Sequence, residues 1–182
     1  TVGDFVCSRF GRVSCKAEIN SVRVKLHFEA DTLYTVVTVN VKETELVLAV
    51  EDVPYANDKI GPAAPPIKTD KGWLTIFHAV DKDESRGKDG WETAWKKRYC
   101  AGIMLLDLQD PSKVIGMSKL PLIAPETDYE VEEGLRQNVI FPGGMILEDD
   151  GEVKIYYGAS DTVECLATAK LEDLINLCTE KM

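Results

Sequence analysis

Residues 21–30 alternate strictly, with Val22, Val24, Leu26 and Phe28 in one set and Arg23, Lys25, His27 and Glu29 in the other. A period of two sends the sets to opposite faces of a strand, so a half-buried strand is predicted with His27 on its solvated face. Two β-branched runs follow at 33–41 and 45–50, divided by polar breaks, and three such runs in close succession predict a meander. The pattern changes at 73–80, WLTIFHAV, where the apolar residues no longer alternate. A short continuous run of this kind predicts a buried strand. The segment before it, DKIGPAAPPIKTDKG, is rich in Gly and Pro, which exclude helix and central strand and predict a stiff loop.

Downstream, 82–99 is a charged loop holding Trp91 and Trp95, and 100–108, CAGIMLLDL, is a further apolar strand closed by the turn QDPS. Residues 113–123 contain a short strand and its exit, followed by an acidic segment at 125–134. Residues 136–140 lead into Phe141-Pro142-Gly143-Gly144, read as a strand ending in a tight turn. Residues 145–147 and 152–157 flank Asp150-Gly151, a strong hairpin signal. A strand at 162–169 precedes the one convincing helix, in which Leu171, Leu174, Ile175 and Cys178 recur at helical spacing. Residues 71–79 and 150–158 share a template of turn glycine, strand, aromatic pair and small residue. A recurring unit of short strands points to β-propeller blades, so the fold class read from the pattern is all-β with a short C-terminal helix.

Composition narrows the function. The 182 residues, 45% hydrophobic and 29% charged, have the profile of a folded domain with one ordinary core. A net charge of -10 with no compensating basic run argues against a nucleic-acid partner. No apolar run approaches the roughly 18 to 20 residues of a membrane helix, and the opening residues lack a signal-peptide layout, so a cytoplasmic chain is expected. The five cysteines are scattered without a CxxC pair or a histidine at metal-ligand spacing; they read as reduced, mostly buried thiols, and no metal site is predicted. Trp91 and Trp95 either anchor the long insertion, the commoner use, or offer aromatic faces to a sugar. Lys59 before the stiff loop and His78 inside the strand tie two anion-binding groups to one rigid substructure.

Five segments carry a resemblance to a known family: 59–81 (KIGPAAPPIKTDKGWLTIFHAVD), 105–116 (LLDLQDPSKVIG), 125–144 (PETDYEVEEGLRQNVIFPGG), 155–162 (IYYGASDT) and 165–175 (CLATAKLEDLI). In this order they resemble the C-terminal half of glycoside hydrolase family 130, the β-mannoside phosphorylases and related inverting β-mannosidases. The resemblance implies a five-bladed β-propeller, of which residues 1–182 would form about half, with 1–57 matching weakly and 58–182 forming family-like blades. It implies inverting phosphorolysis of a β-1,4-manno-oligosaccharide or mannosyl-glucose to α-mannose 1-phosphate. Inorganic phosphate is then the co-substrate, and no metal or organic cofactor is needed. Lys59 and His78 match the family's phosphate-binding pair, and Asn138, Phe141, Tyr157 and Asp161 fall in the segments that contact mannose. Gln137 stands where the family usually has proline. The general acid and an arginine pair lie upstream in the family, and none of Asp4, Asp31 and Asp52 sits in the matching pattern, so the acid is not assigned. A partial propeller leaves open edges, which implies either pairing with a second copy or membership of a longer polypeptide. The alternatives are a β-mannosidase using water, and a truncated propeller that binds glycans or a protein without catalysis.

Overall fold

The computed structural model describes residues 46–86 and 95–179 in full and, before them, the backbone of four strands. Residues 1–45 and 46–182 form separate compact units. In the first unit β1 (Val2–Cys7) pairs antiparallel with β2 (Gly11–Lys16), and β3 (Val22–His27) with β4 (Val36–Val41). The alternating run is therefore a strand, while the side chain of His27 lies outside the described residues, as do Trp91 and the side chains of Asp4 and Asp31.

The second unit contains two antiparallel sheets. The first comprises β5 (Lys59–Pro62), β6 (Ile67–Lys68), β7 (Trp73–Lys82), β8 (Lys97–Leu106) and β9 (Val114–Met117), with β5 and β6 both pairing to β7. The second is β10 (Ile140–Leu147), β11 (Glu152–Ala159) and β12 (Val163–Lys170), joined through the predicted Asp-Gly turn. A one-turn helix α1 (Asp128–Val131) lies between the sheets in sequence, and α2 (Leu171–Thr179) ends the chain with Leu174 and Cys178 buried.

Register explains why β7 and β8 read as unbroken apolar runs. Leu74, Ile76 and His78 pair with Leu105, Ile103 and Ala101, and this face joins Ile140, Val153, Ile155 and Ala159 of the second sheet in one core. On the opposite face, Phe77 and Ala79 pack with Val53 and, from its border, Tyr55 and Leu48 in a second cluster. Both faces are buried, so both sets of positions are mostly apolar, with Thr75 and His78 the polar members. Gly102 is required here, because a Cβ would drive into the Phe77 ring and the Tyr55 hydroxyl. In the second sheet the alternation returns: Val153, Ile155 and Ala159 are buried on one face while Ile146 and Leu166 are exposed on the other.

Three local expectations are corrected. Residues 45–50 do not form a strand within the described residues: 46–49 are irregular, and a 3₁₀ turn at Val50–Asp52, closed by Val53 N–H to the Val50 carbonyl, delivers Val53 to the core. The Gly/Pro loop contributes a real edge strand at Lys59–Pro62, since a strand with a single neighbour tolerates a terminal proline. The Phe141–Gly144 stretch does not turn but runs on through β10, where a register shift between Pro142 and Gly144 takes up the extra residue as a bulge.

Candidate functional site

The site begins with the pairing of β5 and β7. Lys59 lies opposite Val80 and Gly61 opposite His78, so Lys59, Gly61 and His78 share a face. Gly61 has no side chain because the imidazole occupies that space; a Cβ would stand 2.5 Å from His78 Cε1. Tyr99 of β8, opposite Val80, joins the same face, and Lys59 Nζ lies 5.2 Å from its ring centroid. The His78 ring stacks on Phe141 of β10 at 4.9 Å and on Tyr99 at 6.0 Å. Burial first, and then the Lys59 charge, push the His78 pKa down, against the Pro62 carbonyl that favours the cation. At neutral pH the imidazole is thus neutral, with one donor and one acceptor nitrogen. Its Nδ1 is buried with no hydrogen-bond partner among the described residues.

The other side of the site is built from turns. Asn138 adopts φ +60°, and Ser160 and Asp161 both φ +51°, the left-handed region that asparagine and aspartate enter more easily than most residues. The carbonyl of Glu130 accepts the Asn138 N–H at 2.7 Å and the Ser160 hydroxyl at 2.8 Å, which ties the two turns together. Tyr99 N–H donates to the Asn138 carbonyl at 2.9 Å, joining these turns to β8. Glu130 is itself buried, 3% exposed, inside a capping box: its carboxylate accepts the Glu126 and Thr127 N–H groups. Burial alone would raise its pKa. Those N–H groups, with the Thr127 and Tyr157 hydroxyls, together hold it below the ordinary value.

The Arg136 guanidinium lies over the Trp95 ring at 4.5 Å, with Nε 3.8 Å from Asp161 Oδ2. Trp95 Nε1 donates to the Gln137 carbonyl at 2.9 Å, and its ring runs nearly parallel to Tyr99. A cleft of about 360 Å³ is lined by Trp95, Tyr99, Arg136, Val139, Phe141 and Asp161. Of the residues expected from sequence, Lys59, His78 and Phe141 therefore converge around Tyr99, and Asp161 lines the adjoining cleft. Asn138 holds the edge of the arrangement through its backbone. Tyr157 is placed differently: it is 8% exposed in the core beside Glu130 and Cys165, with its pKa raised above all by burial. Sequence reasoning missed Tyr99 and Arg136. The long insertion concealed the β7–β8 register that places Tyr99 across from Val80, and nothing in the pattern marked Arg136.

Among the described residues, the buried thiols offer no rival chemistry. Cys100, Cys165 and Cys178 are free, and burial raises Cys100 to about 11 and Cys178 to about 12, so neither forms a nucleophilic thiolate at neutral pH. The arrangement instead offers an ammonium and an imidazole to an oxyanion, and aromatic faces, a guanidinium and a carboxylate to a polyhydroxylated ring. An antiparallel β protein with such a cleft has the equipment of a carbohydrate-active class.

The family model described as beta-1,4-mannooligosaccharide phosphorylase, glycoside hydrolase family 130, matches residues 24–180, and the chain belongs to that family. It is 43% identical over 108 residues to a Beta-1,2-mannobiose phosphorylase of Thermoanaerobacter sp. (strain X514), covering 59% of this chain and 31% of the relative. It is 38% identical over 120 residues to a 1,2-beta-oligomannan phosphorylase of the same organism, covering 66% and 36%. The solved Beta-1,2-Mannobiose phosphorylase from Listeria innocua, in complex with beta-1,2-mannobiose, superposes with a TM-score of 0.57 at 24% identity, over 92% of this chain and 42% of that one. The chain thus spans about a third of the length of the curated relatives it matches. Among the described residues no helix is long and apolar enough to cross a membrane.

Proposed function

We propose that this chain carries the phosphate-binding side and part of the mannose-binding side of an inverting β-mannoside phosphorylase that forms α-mannose 1-phosphate. The observation that carries the reading is the placement of Lys59 and His78 on one sheet face, where a buried imidazole nitrogen has no hydrogen-bond partner among the described residues. Hydrolysis by water has no use for such a pair. Phosphate is already a nucleophile, so phosphorolysis needs cations to hold it and one acid to protonate the leaving oxygen. Phosphate would lie between Lys59 and His78, with the mannose ring against Phe141 and its hydroxyls toward Asp161 and Asn138.

The acid, reached in this chemistry through a sugar hydroxyl, is left unassigned. No metal or organic cofactor enters the scheme. A propeller architecture is supported by two antiparallel sheets packed through one core, with β7 and β11, the matched segments of the internal template, each interior to its sheet. Free thiols at Cys100, Cys165 and Cys178 support a cytoplasmic setting. The linkage is either β-1,4, as in the family description, or β-1,2, as in the named relatives.

The test uses the complete polypeptide with β-1,4-mannobiose, β-1,2-mannobiose and mannosyl-glucose, each with and without phosphate. The expected product is α-mannose 1-phosphate, formed only with phosphate, and Lys59→Ala and His78→Ala should raise the phosphate KM far more than they weaken mannoside binding. Mannose release independent of phosphate, or equal losses in both parameters, would overturn the assignment.

A further inference from the structure

We propose that Arg136 is a positioning residue for Asp161, and that Trp95 serves the site by holding Arg136 rather than by offering its own ring to sugar. The inference rests on the phosphorylase reading above. Trp95 is already engaged: the guanidinium lies over its ring, Tyr99 is nearly parallel at 5.9 Å and 10°, and its indole N–H donates to Gln137. Such a ring is a support. Its immediate load is the planar guanidinium, whose Nε is turned toward the Asp161 carboxylate.

Asp161 needs a guide. It stands on a turn of two successive left-handed residues, its side chain is 55% exposed, and an exposed carboxylate samples several rotamers. Fixing it when sugar binds costs side-chain entropy, and a guanidinium that is itself immobilised reduces that cost in advance. The backbone keeps the pair in register, because the Ser160 carbonyl, adjoining Asp161, accepts the N–H groups of both Leu135 and Arg136. An ion pair this exposed contributes little to folding, so its effect falls on ligand binding. The charged insertion after β7 therefore reaches the sugar side of the site through Trp95 and Arg136, distant in sequence from both Lys59 and His78.

The test compares Arg136→Met, Arg136→Lys and Trp95→Leu in the complete polypeptide, reading the KM for mannoside and for phosphate separately. Arg136→Met should raise the mannoside KM about tenfold, the scale of one lost charged contact, with the phosphate KM and thermal midpoint unchanged. Arg136→Lys should recover part of the loss. Trp95→Leu should act in the same direction and add nothing in the Arg136→Met background, since both changes remove one device. A mannoside KM within about twofold of the parent, equal rises in both KM values with a lower midpoint, or full additivity would overturn the proposal. If the parent turns over no mannoside, the phosphorylase reading fails, and the pairing is judged separately by the Arg136 Nε–H resonance. Displacement of that resonance by both Asp161→Asn and Trp95→Leu upholds the pairing, and its constancy overturns it.

Discussion

In the sheet of β5 to β9, alternate residues of β7 point into two different clusters, whereas in the sheet of β10 to β12 one face is packed and the other carries exposed Ile146 and Leu166. The candidate site draws on both, but in different ways. Lys59 and His78 stand on the doubly packed sheet, where strand register fixes their relative positions. Asn138 and Asp161 stand on turns at the ends of the singly packed sheet, held by hydrogen bonds that converge on Glu130 and Ser160. An anion site built from register is rigid by construction, while a polyol site built from turns is shaped by the loops that reach it.

Substitutions can separate the two regimes. The largest effect is expected from Ile103→Ala, which opens a cavity in the shared core at a residue with no exposed surface; urea unfolding should register a loss of about 2 to 5 kcal/mol. Next is Gly102→Ala, which forces a methyl group into Phe77 and Tyr55 on the other face and should cost about 1 to 3 kcal/mol. A silent result there would mean that the second cluster is loosely packed and that the contrast between the sheets is weaker than the register implies. The smallest effect is expected from Leu166→Ala on the exposed face of the second sheet, within about 0.5 kcal/mol of the parent. A loss comparable to that of Ile103→Ala would show that this face is covered.

Several features were legible because a local rule forced them. Apolar continuity at 73–80 and 100–108 marked strands buried on both sides, Asp150-Gly151 marked the hairpin, and the spacing of Leu171, Leu174 and Cys178 marked the final helix. Motif context brought Lys59, His78, Phe141 and Asp161 to notice. The misreadings came where tertiary partners override local preference. Pro62 and Pro142 looked like interruptions, yet each lies in a strand at the edge of its sheet, where a missing N–H is tolerated. Residues 45–50 have the composition of a strand, but a 3₁₀ turn sends Val53 inward instead.

By itself the sequence determined the periodicities, the turns, the surplus of negative charge and the family motifs, since each depends on neighbours in the chain or on residue type. Only the tertiary structure decided that Tyr99 stands between Lys59 and Phe141, that Arg136 bridges Trp95 and Asp161, and that Tyr157 turns into the core toward Glu130. Those placements depend on register across a long insertion and on carbonyls that gather two distant turns. No local pattern encodes either, because the contacts join residues separated by tens of positions and exist only once the sheets have packed.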